Sequence, residues 1–184
     1  TVQPHRPLSV CCEDDVSTAI VEKVAQQVGI RKFVEISRFG AADNAFTLAA
    51  ALIFNGQDIE NSLLVLDGDK HSTDEERQSR IKAVLTGDSQ HDKDRRSLAL
   101  SKITQYCPSG IRCPEHELHA MVCSVAQGND DGENEVISIA LGIGVVADAH
   151  HYVDNMISMI GDDRPVGLRR IVDIAAKSVA WPQY

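Results

Sequence analysis

Four apolar residues in a row, Leu63-Leu64-Val65-Leu66, run straight into Asp67-Gly68-Asp69. A continuous apolar run of that length suits a strand covered on both faces, as in a parallel sheet, because a half-exposed strand alternates instead. In open α/β sheets, ligands bind in the crevice at the carboxyl ends of the strands. Two aspartates placed there offer hard oxygen ligands to a divalent cation. A second acidic cluster, Glu13-Asp14-Asp15, follows the first short apolar run at 8–12 in the same manner.

The stretches between these runs read as helices. Ala19, Ile20, Val24 and Val28 recur at helical spacing between a cap at Asp15 or Ser17 and a terminating Gly29. A strand is expected over 31–37, a turn at Arg38-Phe39-Gly40, an Ala/Leu-rich helix over 42–54, and the third strand over 62–66. Strand, helix, strand, helix, strand is the pattern of a parallel βαβαβ unit. A charged helix over 74–85 follows, then a charged loop over 88–96 and a fourth strand over 103–107. Pro114 suits the first turn of a helix reaching about 125, with Glu115 and Glu117 in that turn. After the loop 127–133 the pattern turns helical: one stretch over 136–160 carrying Gly142 and Gly144, then a last helix from Pro165 with Ile171, Ile174, Ala175 and Val179 inward. The expected organisation is an α/β core, a Rossmann-like parallel sheet flanked by helices, over residues 1–126, with a helical C-terminal extension over 127–184.

Composition narrows the functional classes. A chain of 184 residues with 43% hydrophobic and 24% charged content can bury a core of its own. A net charge of −9 argues against binding polyanions by charge alone. Five cysteines, with no CxxC pair, read as reduced core thiols of a cytoplasmic protein rather than a disulfide framework or zinc ribbon. The longest apolar stretch, 136–146, is too short and too interrupted by glycine to cross a bilayer, so no membrane partner is expected. The chain starts at Thr1, and we expect it to be a piece of a larger protein.

Glu13 after strand 1, Gly40 after strand 2 and Asp67-Gly68-Asp69 after strand 3 together resemble the Toprim domain. The segment from Cys107-Pro108 to Pro114-Glu115-His116-Glu117-Leu118 is similar to the form found in the OLD (overcoming lysogenization defect) family of ATPase-linked nucleases, whose members act in phage defence. The resemblance spans about residues 8–125. It implies a Mg²⁺- or Mn²⁺-dependent endonuclease that uses two ions to hydrolyse phosphodiester bonds of DNA, or of RNA. Glu13, Asp67 and Asp69 would be its metal ligands and catalytic acids, with Glu115 and Glu117 as further acidic residues. It also implies an N-terminal ABC-type ATPase domain in the parent protein, and a homo-oligomer; no Walker A motif occurs in this chain. Two departures stand out. Asp14 occupies the position where many Toprims have glycine, and Ser17 the position where many have a second acid. For the basic residue of the site, Lys177 and Lys70 are the candidates.

Other readings compete for the same residues. Asp14 or Asp15 can simply cap the following helix. The domain can be a Toprim module kept for nucleic-acid binding or assembly without turnover. A receiver-like Mg²⁺-binding signalling domain shares the acidic strand ends, but its strand-4 Ser/Thr and strand-5 Lys have no counterpart here, and a haloacid-dehalogenase phosphatase carries its DxD on strand 1. Tyr106 is the tyrosine nearest the acidic ends, and its neighbours do not mark it as activated. His150-His151, with Asp148 nearby, could be a metal pair or a pocket element, but adjacent helical histidines point about 100° apart, which favours a structural reading; His116 and His119 share a face without any zinc pattern. The Arg95-Arg96 and Arg169-Arg170 pairs could touch phosphates or lie solvated on the surface.

Overall fold

β3, Ser62–Leu66, is the strand on which the N-terminal part of the molecule is assembled. In the computed structural model, which describes residues 7–56, 59–106 and 113–181, β3 pairs in parallel with two neighbours. On one side is β1, Leu8–Cys12; on the other is the short β4, Ile103–Gln105. β2, Val34–Arg38, adds to the far edge of β1, giving a four-stranded all-parallel sheet in the order β2-β1-β3-β4 among the described residues. The fold class is therefore α/β.

The apolar run of β3 is continuous because both its faces are covered. Leu64 and Leu66 pack with Ala45, Phe46 and Ala49 of α2 (Asp43–Phe54), Ile81 of α3 (Asp74–Val84) and Ala99 of α4 (Gln90–Ser101). Leu63 and Val65 point the other way, and pack with Val10, Cys12 and Val34 under Val21 and Ala25 of α1 (Asp15–Gln27). With α1 on one face and α2 on the other, the chain passes from β1 out to β2 and returns past β1 to β3. The strand order thus doubles back between β1 and β3, and a switch point of this kind is where open α/β sheets leave a crevice.

Two stretches of this unit differ from the expected pattern. The strand expected from residue 31 begins only at Val34, because residues 31–33 form a 3₁₀ turn. The charged stretch at 88–96 is not a loop. It enters α4 behind a reciprocal cap, in which Ser89 Oγ accepts the Asp92 N–H and the Asp92 carboxylate accepts the Ser89 N–H, both at 3.2 Å. Arg96 donates to the carbonyls of Leu85 and Gly87, and Arg95 lies over the Phe54 ring. High surface charge hid a helix that buries little beyond Ala99.

Residues 112–184 form a second compact unit; the first runs from 1 to 111. Among its described residues the second unit is all-helical: α5 (Pro114–Ser124), α6 (Asp131–Gly142), α7 (His151–Ile160) and α8 (Arg164–Ala175) pack on one another around Leu118, Val122, Val136, Met156 and Ile171. The helix at 114–124 thus packs with the C-terminal helices. The single helix expected over 136–160 is interrupted at 143–150, where Gly144 lowers helix propensity and Val145 is 98% exposed. Val179, expected inward, lies beyond α8 and is 93% exposed. Asp130 and Asp163 cap α6 and α8 by accepting the N–H groups of Glu133 and Val166. No helix among the described residues is long and apolar enough to cross a membrane.

Phe46 is fully buried amid small alanines, so little can collapse into the space it fills. Phe46→Ala is expected to cost about 3–5 kcal/mol in chemical denaturation. Phe54→Ala, at a 62% exposed site on the same helix, is expected to cost under about 1 kcal/mol.

Candidate metal centre

Glu13 and Asp67 end adjacent parallel strands, and the backbone joins them across the switch point. The Asp67 N–H donates to Glu13 Oε2 at 3.3 Å. Asp67 is 5% exposed, and Oδ1 of its carboxylate accepts the hydroxyl of Ser17, itself buried in the first turn of α1. Asp14 is the α1 cap, accepting the Ser17 N–H at 2.9 Å. Of the three residues left open at the end of strand 1, Asp14 is thus committed to capping and Ser17 is the one in contact with Asp67. The serine hydroxyl orients the aspartate by donating to it.

Two glycines allow these turns. Gly40 has φ +85°, a left-handed conformation that side-chain-bearing residues rarely adopt, and its N–H donates to the Glu13 carbonyl at 3.0 Å. The end of β2 thereby steadies the end of β1. Gly68, at φ +103°, lets the chain reverse between the two aspartates, so that Asp67 is buried and Asp69 half-buried. Beyond them His71 holds φ +52° without being glycine. Its ring is fastened by Asp43 Oδ1 at 2.7 Å and sits edge-on to Phe46, while Arg80 holds the other Asp43 oxygen at 2.9 Å. This Asp43–His71–Arg80 linkage ties the Asp67–Asp69 turn to α2 and α3. Sequence reasoning missed it because its members lie on three separate elements.

The electrostatics are those of crowded carboxylates. Burial raises the Glu13 pKa above its ordinary value; the hydrogen bond from Asp67 N–H opposes this, and the negative charges of Asp69 and Asp14 add to it. The neighbouring charges that shift Glu13 are thus both anionic, which is a donor set suited to a cation. The three strand-end acids do not, however, form the tightest metal-ligand group. Among the described residues that group is Cys113, Glu115 and His150, whose ligand atoms all lie within 4.8 Å of one another. Burial, and then the hydrogen bond to Glu115, push the Cys113 thiol up to about 12. Cys12, the last residue of β1, is likewise raised to about 12, mainly by burial, as expected of an inert core thiol. Cys107 and Pro108 lie outside the described residues.

The remaining candidates are placed as follows. Lys177 pairs with Glu133, and Lys70 is exposed. Glu117 is half-buried, 3.8 Å from His116 Nδ1. Tyr106 packs beside the α1-side core. Arg170 is held by Asp162 at 2.7 Å and Glu135 at 3.3 Å, and Arg169 is exposed. Compared with family models, curated proteins and solved structures, the chain matches none.

The raised Glu13 pKa has a consequence for stability. An acid whose pKa is higher in the folded state adds stability that is fully present below its ordinary value and is lost as the pH rises through the folded-state value. Glu13→Gln keeps the acceptor for Asp67 N–H and removes the charge. In chelator-treated protein it is expected to raise the melting temperature at neutral pH, with the gain vanishing in acid below the ordinary glutamate range. A lower melting temperature at pH 7 would contradict this account of the site.

Proposed function

We propose that this chain is a Mg²⁺- or Mn²⁺-dependent phosphodiester hydrolase acting on DNA or RNA, with Glu13, Asp67 and Asp69 as its metal-binding acids. The observation that carries the reading is the Asp67 N–H to Glu13 hydrogen bond across the point where the strand order doubles back. That places two carboxylates at the carboxyl ends of adjacent parallel strands, where ligands bind in open α/β sheets. The resemblance of Glu13, Gly40 and Asp67-Gly68-Asp69 to a Toprim domain points to the same chemistry. A bound divalent cation, or a pair, supplies Lewis acidity toward a phosphate oxygen and acidifies water.

The chain's own residues prepare that chemistry. Ser17 holds one Asp67 oxygen and so limits the directions in which the carboxylate can turn. The Asp67 N–H does the same for Glu13. Burial and the nearby Asp69 and Asp14 charges raise the Glu13 pKa, and a bound cation would favour its charged form. Asp69, half-buried after Gly68, adds negative charge at the mouth. The OLD resemblance also implies an N-terminal ABC-type ATPase domain beside this activity, and we take the protein to be a homo-oligomer in the cytoplasm. A binding or assembly role without turnover is favoured by one observation: the three acids are not drawn into a convergent ligand group.

Nicking of supercoiled plasmid, and cleavage of single-stranded RNA, in Mn²⁺ or Mg²⁺ separates the two readings. Asp67→Ala is expected to abolish cleavage, a loss of more than about 100-fold. Ser17→Ala, which removes a positioning contact, is expected to lose about 10- to 100-fold. Cleavage that is equal in wild type and Asp67→Ala sinks the site, and a wild-type chain that binds nucleic acid without cleaving it supports the binding role.

A further inference from the structure

Within the helical unit, side chains from two helix starts converge. Cys113 is the residue that enters α5, and Glu115 is the second residue of that helix, with Pro114 fixing the backbone between them. They are 4% and 6% exposed. His150 stands just before α7, in a turn whose backbone is held by Asp148: its carboxylate accepts the His150 N–H at 3.1 Å and its carbonyl accepts the His151 N–H at 3.0 Å. His150 Nδ1 lies 3.3 Å from Glu115 Oε2, and the imidazole is 45% exposed. One ligand atom from each of the three residues lies within 4.8 Å of the other two.

The rest of the unit holds this geometry in place. Tyr152, two residues past His150 and 8% exposed, is stacked on the His119 ring at 4.2 Å and lies edge-on to His116 at 5.6 Å. The His119 Nε2–H donates to the Ala140 carbonyl at 2.9 Å, so α5, α6 and α7 are locked together beside the cluster. A cluster on rigid helix ends, braced by packed rings and backbone hydrogen bonds, meets the requirement that a site be supported by its surroundings.

We propose that Cys113, Glu115 and His150 form a binding site for a borderline transition-metal dication, with Zn²⁺ as its representative, in addition to the hard-cation site of the first unit. Thiolate, imidazole and carboxylate are the donor types that zinc takes, whereas Mg²⁺ and Mn²⁺ prefer oxygen alone. Ligands at ordinary zinc distances, about 2.0–2.3 Å, stand roughly 3–4 Å apart around a tetrahedral ion, so the observed spacing asks for only small side-chain adjustments. Three protein ligands leave one coordination position for water, and the half-exposed His150 gives the ion a route in from solvent. A cysteine–histidine nucleophile fits the same residues less well. The imidazole engages Glu115, and a carboxylate beside the sulfur disfavours a free thiolate, whereas a bound cation favours both anions at once.

The test is a Co²⁺ titration of the whole, chelator-stripped chain, followed by absorption spectroscopy. One equivalent of Co²⁺ is expected to produce a sulfur-to-metal charge-transfer band and intense visible bands of tetrahedral coordination. Zn²⁺ should abolish them, and excess Mg²⁺ should leave them intact. Cys113→Ser should remove the charge-transfer band. His150→Ala, at a half-exposed position that the fold tolerates, should weaken binding at least about tenfold. Asp67→Ala should leave the spectrum unchanged, which separates this site from the acids of the first unit. No sulfur band at one equivalent, or a band that survives in both Cys113→Ser and His150→Ala, would overturn the proposal.

Discussion

The doubling back of the strand order between β1 and β3 is the constraint on which the first unit's chemistry depends. Because β1 and β3 are hydrogen-bonded neighbours, residues one step past their ends lie close whatever their separation in sequence. Asp67 reaches the end of that ladder with its carboxylate already buried, so that carboxylate needs a polar partner and has one in the Ser17 hydroxyl, while the Asp67 N–H in turn holds Glu13. Gly40 closes the third side by tying the turn after β2 to the Glu13 backbone. Local order at the site is thus a property of the sheet rather than of any one loop.

That order comes with unfavourable electrostatics. Glu13 is partly desolvated beside two other carboxylates, and a fold selected only for stability would replace one of them with a neutral group. Anionic crowding at strand ends is a common mark of a binding site. The helical unit offers a contrasting donor set, where sulfur and nitrogen stand beside a single carboxylate. The two groups are built on unrelated scaffolds, one on parallel strand ends and the other on helix starts. Their donor chemistry separates the cations they would take.

Much of the first unit was legible because its signals are local. The runs at 8–12 and 62–66 coincide with β1 and β3, since a strand buried on both faces cannot hide its apolar continuity. The βαβαβ pattern allows the ends of β1 and β3 to be neighbours, and the strand order with the Asp67 N–H to Glu13 hydrogen bond makes them so. What escaped was whatever depended on partners distant in sequence. α4 was missed because its capping box sits in a run of charges and its one fully buried residue is Ala99. Ser17 read as a missing acid, although its hydroxyl fills the place by donating to Asp67. In the sequence Cys113 reads as a core thiol and His150 as a structural histidine or half of a pair with His151, and nothing there joins the two. Cys-Pro-Glu at a helix start was the available hint, but the histidine comes from the packing of α5 on α7, which periodicity does not encode.

The central claim is that a divalent cation binds between the ends of β1 and β3. Titrating trace Mn²⁺ into ¹⁵N-labelled protein tests it directly, because amide resonances broaden steeply with proximity to the paramagnetic ion. The account predicts that the amides of Glu13, Ser17, Asp67, Gly68 and Asp69 broaden first and together, and that excess Mg²⁺ restores them. Broadening that begins elsewhere, or that spreads evenly over the acidic surface while these five amides stay sharp, would contradict it.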